Sequence, residues 1–309
     1  MTEAKKQSNK QISFYLWIVF VICLLCHPAI AAAIKETLVM CYTTIIPSLF
    51  PFLLLSDIFQ NIYVPKRTLL SAIYARIYST SEESFYPFIM GAICGFPVGA
   101  KEVCNLYKNR VISKNQAHHL LGFVNLASPA FVIISVGKGM RNSYIEGILL
   151  YAIQVFASFL VAKITVPKKS NQPNKSDSLT IHANVFSFSQ TISNSTLSIL
   201  SVCGMICTFS AIASIISSIL PPNFSVFPIF ILEIINGIKT ISKVFRHIPL
   251  LSFSLTALAI CFGGFSVHMQ ANLFISNTDL SFICYLKRKI LCSILGFIFS
   301  VFLGCIIYH

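Results

Sequence analysis

The sequence predicts an all-α polytopic membrane protein with about seven transmembrane helices and two re-entrant hairpins in an inverted repeat. Three observations lead there. The 309 residues are 55% hydrophobic and only 11% charged, with mean hydropathy +0.77, far from the balance of a soluble domain. Several runs approach the ~20 apolar residues that cross a ~30 Å hydrocarbon core. Two further apolar runs, 86–100 and 224–238, are too short to span and carry glycine, proline or a carboxylate.

In chain order, Lys5, Lys6 and Lys10 precede an apolar run ending in Ala29-Ile30-Ala31-Ala32-Ala33. It reads as an uncleaved first helix, because its apolar stretch is longer than that of a signal peptide. Spans are expected at about 13–34, 37–59, 117–137, 143–166, 190–220, 249–276 and 286–308. This divides the chain into an N-terminal helix (1–36), a first repeat (37–166) with a hairpin near 86–112, a linker (167–189), and a second repeat (190–309) with a hairpin near 222–247. The linker, rich in Ser, Asn, Lys and Pro, reads as solvated and cytoplasmic.

With the N-terminus inside, 17 of the 23 basic residues fall on the cytoplasmic face, including Lys101, Lys287, Arg288 and Lys289. If 224–238 crossed the membrane, the later spans would invert; that choice stays open. The net charge of +13 is first a topology signal and also suits an anionic solute. Basic residues dispersed over short loops argue against nucleic-acid binding. Eleven cysteines, an odd number lying mostly in spans, argue against a disulfide framework, and the Cys23–Cys26 pair reads as small buried hydrophobes.

The halves are related by an offset of 142 residues, which places Ile93 and Gly95 on Ile235 and Gly237, Lys101 on Lys243, Ala117 on Ala259, and Gly122-Phe123 on Gly264-Phe265. Three crossings per half would make the second half enter from the opposite face, the plan of many secondary transporters.

In MGAICGFPVGAKEV (90–103), Gly91, Gly95, Pro97 and Gly99 let the chain reverse and leave N–H and C=O groups facing a polar cavity. The alternative, a close-packing seam of small residues, gives no use to Pro97 or Lys101. In the following span, Pro129 removes a backbone donor while Asn125 and Ser128 supply side-chain hydrogen bonds, for a binding site or a plain kink. CFGGFSVHMQANLF places Gly263, Gly264, Ser266, His268 and Gln270 in an apolar run, costly unless they face a cavity or each other. Glu233, with Asn236 beside it, stands in an apolar stretch where a carboxylate must be protonated, paired or bound to a cation or solute. Asp57 and Glu102 lie near expected helix ends, where solvation is the simpler reading. His118-His119 reads as interfacial. No nucleophile elbow, HExxH, P-loop or metal cluster is present, so no enzyme, cofactor or metal is expected, and active transport would draw on something other than ATP.

The residues IIPSLFPFLLLSD (45–57), GFPVGAK (95–101), ISKNQAHHLLGFVNLASPAFVIISVG (112–137), EIING (233–237) and FGGFSVHMQ (262–270) together resemble the sporulation integral membrane protein family YlbJ/SpoVV. That family carries nucleoside-recognition Gate domains related to the concentrative nucleoside transporters. The resemblance implies a transporter-like protein of the outer forespore membrane that passes dipicolinic acid, a dianion near neutral pH, toward the spore. It also implies a substrate site shared by Gly95, Phe96, Pro97, Gly99, Lys101, Asn125, Ser128, Glu233, Asn236, Ser266, His268 and Gln270. Na⁺ or H⁺ coupling and a homo-oligomeric state stay open.

The chain departs from the family at Gln116, where a Glu is expected, and at Ser135, where a Gly is expected. Against the nucleoside transporters, GFPV replaces the first hairpin's Gln-Thr-Glu motif, which weakens nucleoside transport, whereas Glu233 matches the second hairpin's glutamate. A nucleoside carrier and a non-transporting scaffold for spore-envelope assembly remain as alternatives.

Overall fold

The computed structural model describes residues 14–19, 21–22, 28–62, 68–166 and 187–308. Nearly all of the expected linker, the Cys23–Cys26 pair, and Lys5, Lys6 and Lys10 lie outside them. The described residues are helical, without a strand. Residues 14–19 and 21–22 are helical, followed by α1 (Pro28–Met40), a π-helical turn (Cys41–Ile45) and α2 (Ile46–Ile62) as one run. The loop expected between spans 13–34 and 37–59 is therefore absent, since the helix passes straight through Lys35 and Glu36. Next come α3 (Leu69–Tyr78), closed at its start by a Thr68–Ser71 capping box, then α4 (Phe85–Cys94), α5 (Val98–Lys108) and α6 (Lys114–Val124).

A π-helical segment (Ala130–Met140) follows, then α7 (Tyr144–Ile164) and α8 (Phe188–Ile219). The chain continues with α9 (Pro222–Leu232), α10 (Ile234–Val244), α11 (Pro249–Phe262), α12 (Gly264–Ile275) and α13 (Phe282–Ile307). Among the described residues, five helical stretches are long and apolar enough to cross a membrane: Ala29–Ile58, Tyr144–Ile164, Phe188–Ile219, Pro249–Ile275 and Phe282–Ile307. The span expected at 117–137 is interrupted, because Asn125–Ser128 leave the helix before Pro129. Proline disfavours helical backbone in the residue before it. Pro249–Ile275 is likewise two helices, parted at Gly263 and Gly264, whose φ of +97° and +78° suit glycine.

The α13 helix shows how the bundle is assembled. Ile290, Ile294, Ile298, Phe302 and Ile306 point outward, while Tyr285, Lys289, Cys292, Gly296, Ser300 and Gly304 point inward. Large apolar side chains outside with small or polar ones inside is the arrangement a lipid solvent selects. Close approach follows from it: a Cβ on Gly296 would lie 2.4 Å from Cys261 Sγ on α11. The nine cysteines among the described residues are all free thiols.

Apart from α3, which has no counterpart in the second half, the two halves run through a similar order of elements: a long helix, a helix pair with a sharp turn, a broken helix, then a long helix. The α5 helix opens at Val98 and α10 at Ile234, 136 residues later, while α7 opens at Tyr144 and α13 at Phe282, 138 later. Those separations lie close to the 142-residue offset expected from sequence identities. At 138, Gly99 falls on Gly237, Lys101 on Lys239, Ser128 on Ser266, and Ser143 on Ser281. Ser143 and Ser281 are the N-caps of α7 and α13, each accepting a backbone N–H three residues on.

Candidate functional site

The four helix interruptions meet. The first turn, between α4 and α5, is Gly95-Phe96-Pro97, with Gly95 at φ +81° and a cis bond before Pro97. Gly91 and Gly99 on its two arms seat against the carbonyl of Val124, where α6 ends. Gly95 touches the next interruption: a Cβ there would lie 2.7 Å from the Ser128 nitrogen. The Phe96 ring reaches the third, its Cε1 being 3.8 Å from a Cβ placed on Gly263. A Cβ on Gly264 would be 3.2 Å from both the Ile234 nitrogen and the Phe230 carbonyl oxygen, at the α9–α10 turn.

The backbone freed at these breaks is answered by side chains. Gln154, fully buried on α7, accepts from the Ala127 N–H at 3.0 Å and donates to the Ala127 carbonyl at 3.1 Å. Ser128 Oγ accepts from the Phe131 N–H at 3.2 Å. Glu233 is 1% exposed and caps α10, its two oxygens accepting from the N–H groups of Ile235 (3.0 Å) and Asn236 (2.7 Å). A carboxylate at a helix N-terminus also meets the positive end of the helix dipole. Asn236 donates to Ser210 Oγ on α8 at 3.1 Å.

Between the first broken helix and α13 lies a buried polar cluster. Asn125 Nδ2 donates to the Tyr285 hydroxyl at 2.9 Å, and that hydroxyl is 3.0 Å from His268 Nδ1. With the hydroxyl accepting from Asn125, its proton goes to His268 Nδ1, which assigns the proton of the neutral imidazole to Nε2. Lys289, one helical turn beyond Tyr285 and 1% exposed, donates to the Asn125 carbonyl at 3.0 Å. Among the described residues, Asn125 Oδ1, His268 Nε2 and Ser266 Oγ have no hydrogen-bond partner. Gln270, also on α12, is buried.

A second polar cluster ties α2, α5 and α8. Lys101 Nζ is 2.5 Å from Asp57 Oδ1, with both side chains largely buried, and Ser195 Oγ donates to Asp57 Oδ2 at 2.6 Å. Ser56 donates to Glu102, which is 1% exposed. Glu102 and Asp57, expected at solvated helix ends, are thus inside the protein, because α5 continues inward past the turn. At the helix ends, Gln116 completes a capping box with Ser113, which explains how Gln serves where a Glu was expected. The paired histidines separate: His118 Nε2 accepts from the Ser281 N–H at 2.8 Å, while His119, 1% exposed, donates to the Ala162 carbonyl at 2.8 Å. His119 is therefore buried rather than interfacial.

Among the residues of these clusters that the sequence does not single out are Lys289, Gln154 and Tyr285. The sequence assigns Lys289 to the cytoplasmic face with Lys287 and Arg288, at the very start of the span expected at 286–308, but α13 starts at Phe282 and carries it inward. The Ser281 cap was the available signal. Gln154, a lone amide in YAIQVFASFLV, is costly in a span and signals a backbone partner. Tyr285 carries no local signal.

No family model matches the chain, and no solved structure matches it. The chain is 28% identical over 152 residues to the sporulation integral membrane protein YlbJ of Bacillus subtilis (strain 168), a match covering 48% of this chain and 37% of that protein. The chain thus matches little more than a third of its relative's length. Similarity and apolar helices together identify an integral multi-pass membrane protein similar to a protein of sporulation.

Proposed function

We propose that the protein is a carrier of a small organic anion, dipicolinate in the first place, across the outer forespore membrane during sporulation. The convergence of four helix interruptions on buried polar side chains carries this reading. Interrupted helices at membrane depth persist where protein or a solute path satisfies their backbone, and such breaks form the sites of secondary transporters. The turns at Gly95–Pro97 and Glu233 are the tips of two re-entrant hairpins. The halves are an inverted repeat in the 138-residue register, each with an odd number of crossings, like the concentrative nucleoside transporters. Substrate binds where hairpin tips and broken helices meet, and a hairpin-bearing body moves against the remaining helices in alternating access. The sporulation name of the Bacillus subtilis relative supports the setting.

Uptake of labelled dipicolinate into proteoliposomes containing the purified protein tests this, under Na⁺, H⁺ and voltage gradients and with uridine as competitor. Saturable uptake that uridine leaves unchanged, and that Glu233→Gln abolishes, is the expected result. A single amide oxygen cannot hold both N–H groups that Glu233 caps. Absence of uptake under every gradient would favour a scaffold, and competition by uridine a nucleoside carrier.

A further inference from the structure

We propose that Lys289 is the anion-binding cation of the buried cluster, and that its ligand is a small aromatic carboxylate held among Lys289, His268 and Tyr285. This rests on the carrier reading and assigns its charge recognition to α13 instead of the first hairpin.

Three observations carry the assignment. Two other cations drawn into the protein are answered by carboxylates, Lys101 by Asp57 and Arg141 by Glu146. No carboxylate lies within ion-pair distance of Lys289 among the described residues; its one hydrogen bond goes to the neutral Asn125 carbonyl. An ammonium out of water with one neutral acceptor is under-compensated, and an incoming carboxylate supplies what is missing. Next to it, His268 Nε2 and Asn125 Oδ1 are wholly buried and without partners among the described residues. The Nε2–H is a donor for a second carboxylate oxygen. Finally, rings surround the histidine: Phe262 at 4.6 Å, Tyr285 at 5.5 Å and Phe265 at 6.0 Å between centroids. These are direct packing contacts of protein rings on the imidazole, and the aromatic wall they give the site favours a flat ligand over an aliphatic one.

Thermal unfolding of the full-length protein in detergent, with benzoate, dipicolinate, acetate or uridine added, tests this. Benzoate at saturation is expected to raise the wild-type midpoint by about 5 °C or more, with acetate much weaker. Lys289→Gln keeps a donor for the Asn125 carbonyl and removes the charge. Its ligand-free midpoint should equal or exceed that of the wild type, and its benzoate shift should vanish. Asn125→Asp, nearly isosteric, places a carboxylate beside Lys289 and should also abolish the shift.

A benzoate shift without a dipicolinate shift upholds this site and removes dipicolinate as the carrier's substrate. A shift that survives in Lys289→Gln overturns the proposal, as does a ligand-free midpoint lowered by that substitution, which marks a structural lysine. So does a wild type that responds to uridine alone or to nothing.

Discussion

Gln154→Leu isolates the cost of breaking a helix inside the membrane. Leucine nearly matches glutamine in volume, so packing on α7 is preserved. What disappears is the pair of hydrogen bonds, 3.0 and 3.1 Å, that satisfies both backbone groups of Ala127. Both residues are fully buried, so the orphaned N–H and C=O each carry a desolvation penalty of about 1–3 kcal/mol. Burying an apolar side chain in place of the amide recovers part of it. The net destabilisation is about 2–4 kcal/mol. It is read from the loss of monodisperse protein on gel filtration after stepwise heating in detergent, with Ile145→Leu, an exposed position on the same helix, as the control. A Gln154→Leu protein within about 0.5 kcal/mol of the wild type, the range of ordinary surface substitutions, would refute the reasoning. It would mean that water or another group already serves the Ala127 backbone.

The Lys101–Asp57 pair gives a second prediction: Lys101→Met removes the ammonium beside a largely buried carboxylate and costs up to about 3–5 kcal/mol, and the Lys101→Met/Asp57→Asn double variant regains much of that; equal losses in single and double variants would refute it. At the loop between α12 and α13, Asp279 accepts from Lys114 (2.8 Å) and from the Tyr107 hydroxyl (2.6 Å), and these bonds, that of Lys114 first, hold its carboxyl below the ordinary 3.8. A lowered carboxylate value favours the folded state above the unfolded-state value and loses that contribution as pH falls through the folded-state value. The difference in melting point between wild type and Asp279→Asn should therefore be constant near neutral pH and close in acid, and it should be small, because the pair is solvent-exposed.

Much of the fold was legible because a bilayer imposes local rules. Long apolar runs announce helices, and Gly95-Phe96-Pro97, Gly263-Gly264 and Asn125–Pro129 announced their own interruptions through backbone preference. Residues named for a site on those grounds, such as Asn125, Glu233 and His268, do lie at or near the interruptions. Their partners were not legible. Asp57 and Lys101 are far apart in sequence, as are Asn125 and Tyr285, and a hydrogen bond across such a gap leaves no trace in either neighbourhood.

The sequence by itself determined that this is a multi-pass helical membrane protein with breaks at glycine, proline and a buried glutamate, since hydropathy and φ preference are properties of short segments. Only the tertiary structure decided that the breaks touch one another, that Lys101 belongs to Asp57, and that Lys289 lies inside. The physical reason is that the worth of a charge in a membrane depends on which group faces it, and that is set by the packing of whole helices.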